Sequence, residues 1–236
     1  MLVFLKKKLS SRQKQIIRRW FLKPRLFHNC LSLTPLSKYC GFDRGLPVDR
    51  YYINQFIQDN QSIIRGNILE FLEPTYSRIR SGDQRSSISI IDIDPMNKEA
   101  NIHGDIRNLY DVENDFFDCI IATQVLQFID NVDAAIHEML RILKPGGVLL
   151  ITVPCCSRID PISGVDGDFW RFTKASFSYL FKDHTRHCID VRNEGNFYSC
   201  TSSLAGYSVE DCSIRKLQVK DDSYPLIITC RVVKEC

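Results

Sequence analysis

The stretch that most constrains this chain is Phe117–Pro154, FDCIIATQVLQFIDNVDAAIHEMLRILKPGGVLLITVP. It holds a short β-branched run (Ile120, Ile121), an amphipathic segment, a Lys-Pro-Gly-Gly turn and a second apolar run, Val148–Val153. Two apolar runs of strand length on either side of a helical pattern predict a βαβ unit. Its right-handed crossover makes the two strands parallel. Val132, Ala135, Ile136, Met139, Leu140 and Leu143 recur at three- and four-residue steps and form the buried helix face. Asn131 is the expected N-cap, and Pro145 with Gly146 and Gly147 ends the helix. Ligands on open parallel sheets bind beyond the carboxyl ends of the strands. Thr123, Gln124 and Val125 are therefore expected at the mouth of a site.

With these residues in place, the pattern FDxII…Q.L…R.LKPGGVLL.TVP resembles the second half of a class I S-adenosylmethionine-dependent methyltransferase. The likeness is closest to bacterial type 11-like methyltransferases associated with glycan-assembly glycosyltransferases. It continues in FDRGLPVDRYYINQFI (Phe42–Ile57), GDFWRFTKASFSYLF (Gly167–Phe181) and SYPLIITCRVVK near the end, and covers about residues 35–235 in family order. The resemblance implies an α/β Rossmann-like three-layer sandwich. Its seven-stranded sheet is mostly parallel, with an antiparallel terminal strand, and its cofactor is S-adenosylmethionine.

At 236 residues the chain accommodates one α/β domain, placed at 41–236, and an N-terminal arm and linker, 1–40. The formal charge of +3 hides an asymmetry: residues 1–40 carry ten Lys or Arg and no acid, the remainder 21 bases and 28 acids. The body is acidic and offers no electrostatic reason to bind nucleic acid. Ten scattered cysteines without a Cys-x-x-Cys pair fit reduced structural thiols and no metal site, hence a cytoplasmic protein. Residues 1–23 read as a basic amphipathic helix. It suits peripheral contact with an anionic membrane or a partner protein, or a solvated arm packed by one apolar face. Residues 24–48 read as a linker.

Asp49 is expected to cap a helix over Arg50–Asp59 with Tyr52, Ile53 and Phe56 inward. The resemblance puts Arg50 and Tyr51 on the substrate or cofactor side; a packing helix with a surface Arg is the alternative. Ile68–Leu72 is the expected first strand, with Glu70 matching the family acid. The glycine-rich turn that follows in the family reads Phe71-Leu72-Glu73-Pro74 here, without the residue type that takes positive φ and lets backbone approach a ligand. Ile88–Ile93 is the second strand. Asp94 matches the acid that accepts the ribose hydroxyls, with Asp92 as the fallback. Ala100–His103 is the third strand, followed by Gly104, Asp105 and Ile106, which the resemblance places around adenine. His103 reads as a packed core histidine.

Asp168, Trp170 and Arg171 resemble a segment beside the acceptor pocket and suit a polar or saccharide acceptor; an Asp168–Arg171 pair that only holds the loop is the alternative. Thr173 is expected to cap a helix over Lys174–Phe181. Ile189–Glu194, a helix from Asn196 to Leu204, and the strand Pro225–Val233 complete the order. No general base is identified, and Asp168 and His103 are candidates by residue type alone. A non-catalytic scaffold in a glycan-assembly complex is the alternative function. A nicotinamide-dependent oxidoreductase lacks its G-x-G-x-x-G fingerprint here.

Overall fold

A computed structural model describes residues 10–21, 32–80, 86–184 and 187–235. The outer parts of the expected N-terminal helix, residues 1–9 and 22–23, lie outside the described residues. The chain divides into two compact units interleaved in sequence. The first comprises the described parts of Met1–Tyr52 with Cys156–Arg158 and Glu194–Leu226; the second comprises Ile53–Cys155, Ile159–Asn193 and Ile227–Cys236.

The first unit contains α1 (Ser11–Phe21) and the start of α2 (Val48–Asp59). The Arg18 guanidinium donates to Asp43 at 2.8 Å and Gln15 Nε2 to the Phe42 carbonyl at 3.2 Å, so α1 is tied to the segment that follows it. That segment is not the expected linker. Leu36 N donates to the Ala205 carbonyl, Pro47 bridges Ser208, and the buried Arg44 meets Asp211 at 2.7 Å. Helix α2 begins one residue before Asp49, whose carboxylate accepts from the Arg50 amide within the first turn instead of capping it.

The second unit is built on a seven-stranded sheet ordered β3-β2-β1-β4-β5-β7-β6. Its strands are β1 (Asn67–Phe71), β2 (Ser87–Asp92), β3 (Ile102–His103), β4 (Phe117–Thr123), β5 (Leu143–Pro154), β6 (Cys188–Glu194) and β7 (Ile227–Val233). β1 pairs in parallel with β2 and β4, β2 with β3, and β4 with β5; β7 is antiparallel to β5. Consecutive residues such as Ile120, Ile121 and Ala122, or Leu149, Leu150 and Ile151, are fully buried. Side chains alternate between faces along a strand, so both faces of the sheet are covered and the arrangement has three layers.

Helices α3 (Ser77–Arg80), α4 (Val132–Ile142), α5 (Gly164–Gly167) and α6 (Lys174–Leu180) belong to this unit, while α7 (Phe197–Leu204) and α8 (Ile214–Leu217) belong to the first. Asn131 caps α4 by accepting from the Ala134 amide, and the expected apolar residues are buried, but α4 ends at Ile142, before the expected stop at Pro145, because Leu143 already pairs with Phe117 in β5. Thr173 and Ser176 form a capping box at the start of α6. Cys119 and Cys230 are buried in β4 and β7, and burial pushes both thiols up to about 12. Among the described residues no helix is long and apolar enough to cross a membrane.

Candidate active site

A cavity of about 350 Å³ opens at the carboxyl ends of β1, β2 and β4, entirely within the second unit. Its walls come from four connections and the Phe169 loop. After β1 the chain turns at Leu72, whose φ of +67° is the left-handed conformation the family assigns to glycine. Such a conformation costs a residue with a Cβ about 1–2 kcal/mol. The turn is held on both sides. The Leu72 amide donates to the Ile91 carbonyl at 3.0 Å, and the Leu72 carbonyl accepts from Asn97 Nδ2 at 2.7 Å. Glu70 shapes the same turn from below. It is buried, and its carboxylate accepts from the amides of Tyr76 and Ser77 and from Ser77 Oγ at 2.6–2.9 Å. Burial raises its pKa against the opposing pull of those bonds. Glu70 is not among the residues lining the cavity.

β2 ends at Asp92, and Asp92, not Asp94, lines the cavity. One Asp92 oxygen accepts from Asn97 Nδ2 at 2.7 Å and the other from the Asp94 amide at 3.0 Å. Asp94 is exposed and closes a local turn through the Met96 amide. After β3, Gly104, Asp105 and Ile106 all line the cavity, joined by Arg107. A Cβ on Gly104 would lie 2.9 Å from Leu109, so the missing side chain lets the buried Leu109 approach the backbone. Hydrogen bonds from Arg107 hold the Asp105 carboxyl below its usual range, outweighing partial burial. His103 is exposed on the edge strand β3 and is not a packed core histidine.

After β4, Gln124 and Val125 line the cavity and Thr123 does not. Gln124 also takes a positive φ, +55°, with its amide donating to the Thr152 carbonyl at 2.8 Å. Its side-chain Nε2 is buried with no hydrogen-bond partner among the described residues.

Of the expected acceptor segment, the residue that lines the cavity is Phe169. Asp168, Trp170 and Arg171 place it. The Phe169 and Trp170 amides donate to the Gln127 carbonyl, Trp170 Nε1 donates to the Ile129 carbonyl at 2.8 Å, and Arg171 pairs with Asp168 at 2.7 Å. Arg171 also holds the Asp168 carboxyl below its ordinary value despite burial, which suits a structural ion pair better than a base. Arg50 and Tyr51 lie on α2 in the first unit, where Tyr51 packs edge-on against Tyr52. Asn97, Arg107, Phe128 and Phe169 carried no sequence signal beyond adjacency to the motifs. They are supplied by loops whose paths no periodicity encodes.

Residues 78–151, from α3 into β5, match a family model described as a methyltransferase domain. No curated protein sequence matches the chain. Among solved structures, a SAM-dependent methyltransferase from Archaeoglobus fulgidus aligns at a TM-score of 0.52 and 9% identity, over 78% of this chain and 94% of that one. Phosphoethanolamine N-methyltransferase 2 from Haemonchus contortus, solved with phosphomonomethylethanolamine and S-adenosylhomocysteine, aligns at 0.52 and 14%, over 98% and 61%. The [4+2]-cyclase SpnF aligns at 0.52 and 17%, over 78% and 80%, so the same fold carries more than one chemistry. At these identities the structures establish the fold. The domain match adds that residues 78–151 are similar to a methyltransferase domain.

Proposed function

We propose that the chain transfers a methyl group from S-adenosylmethionine to a small polar acceptor, a saccharide hydroxyl among them, that reaches the cavity beside Phe169. The observation that carries this reading is the pair of carboxylates, Asp92 ending β2 and Asp105 following β3, on one largely apolar cavity. Asp92 at a strand end suits two vicinal ribose hydroxyls. Asp105 suits an exocyclic amine, with Ile106, Val125 and Phe128 offering apolar surface to the purine.

When bound, the sulfonium supplies an already activated methyl group. The chain's own contribution is then positioning and exclusion of water. Phe169, fixed by the Gln127 carbonyl, forms the wall on the acceptor side. Arg50 and Tyr51 are retained as acceptor-side residues on the strength of the family resemblance. The scaffold alternative is disfavoured by a cavity that forms without the glycine turn, Leu72 taking the positive φ. A cytoplasmic glycan-assembly setting is the context the resemblance suggests. Peripheral contact with an anionic membrane or a partner is proposed for residues 1–23, where Ile16 and Ile17 are exposed on α1. Flotation with anionic vesicles, with and without residues 1–23, tests that contact.

Calorimetry with S-adenosylmethionine and S-adenosylhomocysteine tests the main reading. Saturable binding is expected, weakened more than tenfold, about 1.4 kcal/mol, by Asp92→Ala. Folded wild-type protein that binds neither ligand at millimolar concentration would rule the reading out.

A further inference from the structure

The residue with the least conventional position in the cavity is Arg107. Its fork closes on Asp105: one carboxylate oxygen accepts from the Arg107 amide at 2.9 Å and from Nε at 3.0 Å, the other from Nε at 2.8 Å and Nη2 at 2.5 Å. A carboxylate has about four lone-pair positions, and three Arg107 N–H groups, with Nε–H shared between the two oxygens, already engage both oxygens of Asp105. The remaining guanidinium nitrogen, Nη1, donates to Asp130 at 2.5 Å. Asp130 is itself fixed, accepting from the Asn131 amide at 2.7 Å at the entry to α4. Asp105, Arg107 and Asp130 all line the cavity, so this chain of three joins the loop after β3 to the turn before α4 across its mouth.

We infer that Arg107 is a specificity-determining residue of the donor site: it competes with the donor's adenine for Asp105, and Asp130 is the second seat that lets it yield. The inference rests on the reading of this cavity as the S-adenosylmethionine site. An exocyclic amine must share an Asp105 oxygen that already accepts from Arg107, and it gains the stronger acceptor when Arg107 withdraws one of its bonds. The guanidinium keeps a partner while doing so, because Asp130 is already in place. Arg107 therefore lowers donor affinity and Asp130 raises it. The two substitutions must act in opposite directions, although they remove the two halves of one ion pair. A purely structural clasp would weaken binding whichever half was removed.

The test is calorimetry with both S-adenosylmethionine and S-adenosylhomocysteine on wild type, Arg107→Ala, Asp130→Ala and the double variant, each checked for folding by its thermal melt. The ion pairs are partly exposed, so the effects are modest. Arg107→Ala is expected to tighten both ligands about fivefold and Asp130→Ala to weaken both about threefold, with the double variant following Arg107→Ala. Arg107→Lys, which keeps the charge and loses the fork, is expected to tighten both about twofold, and it replaces the alanine variant if that one melts early. S-adenosylhomocysteine lacks the sulfonium charge. Tightening confined to S-adenosylmethionine would reflect removal of a repelling charge and would overturn the inference. Unchanged or weaker binding by both arginine variants, with wild type binding normally, overturns it while leaving the donor reading intact. If wild type binds neither ligand, the donor reading fails and the inference goes with it.

Discussion

The two ends of the sheet meet the same backbone requirement with different residues. At the amino end, a polar cavity of about 400 Å³ is bounded by Gly66 before β1 and by Pro145, Gly146 and Gly147 before the apolar part of β5. On the lining of that cavity positive φ falls on glycine, +78° at Gly66 and +75° at Gly146, although Asp115, just before β4, takes +56°. Gly66 is required twice over. A Cβ would also lie 2.5 Å from an Asp118 oxygen that accepts from the Asn67 amide and Lys144 Nζ, each at 2.8 Å. At the carboxyl end, positive φ falls on Leu72 and Gln124, and both line the other cavity. Strain of this kind persists where the surrounding structure over-determines it, and it concentrates at functional sites. The amino-end cavity places glycines at its positive-φ positions, while the carboxyl-end cavity places side chains there.

Two acids, Glu70 buried and Asp118 half-buried, repeat the contrast. Glu70, at the carboxyl end, has its pKa raised because burial outweighs its hydrogen bonds. Asp118, at the amino end, has its pKa lowered because Lys144 and the Asn67 amide outweigh partial burial. One acid holds a functional turn at an electrostatic cost, and the other sits in a favourable ion pair.

The largest effect that would break the comparison is expected from Glu70→Ala. It strands the amides of Tyr76 and Ser77 and should cost about 2–3 kcal/mol, measured by denaturant unfolding, with donor binding lost as the Leu72 turn relaxes. Gly66→Ala should cost about 2 kcal/mol through strain and the clash with Asp118, with donor affinity unchanged. Weakened binding in that variant would mean the two ends are not independent.

Leu72→Gly should stabilise by about 0.5 kcal/mol, relief of about 1–2 kcal/mol of strain offset by the added freedom of the unfolded chain. Because it removes part of the cavity wall, the same variant should bind donor less tightly. A stabilised protein with unchanged affinity would show that the leucine is incidental. The finest distinction is in pH. Between its ordinary value of 4.5 and its raised folded value, Glu70 binds a proton more readily in the folded chain, so stability falls as pH rises through that window. Asp118 contributes stability above 3.8 that is lost as pH falls through its lowered folded value. Thermal melts across pH 2–8 should show Glu70→Gln removing the first slope and Asp118→Asn the second.

Much of this fold was legible in the chain. The βαβ core from Phe117 to Pro154, the Asn131 cap and the burial of α4 follow from periodicity and local hydrogen-bonding chemistry. So do β1, β2, β6 and β7, with ends shifted by one or two residues. Strand ends are where sequence carries least, and the choice between Asp92 and Asp94 turned on one of them: β2 stops at Asp92, and the Asp94 side chain is spent on a turn. His103 illustrates a different limit. Its place alone in an expected strand suggested burial, but β3 lies at the edge of the sheet, a fact of strand order and not of local pattern. Likewise, the polar and glycine-rich stretch before α2 looked like a linker because its anchors, Ala205, Ser208 and Asp211, lie more than 150 residues away.

The sequence by itself determined the parallel βαβ core, because side-chain periodicity and helix caps act over a few residues, and through the family resemblance it implied the class of architecture. Only the tertiary structure decided which carboxylate faces the cavity, that Leu72 adopts a glycine's conformation, that Phe169 joins the cavity wall, and that Arg107 engages both oxygens of Asp105. Each of these depends on where separate loops meet once the strands are ordered, and that meeting is set by packing across the whole sheet.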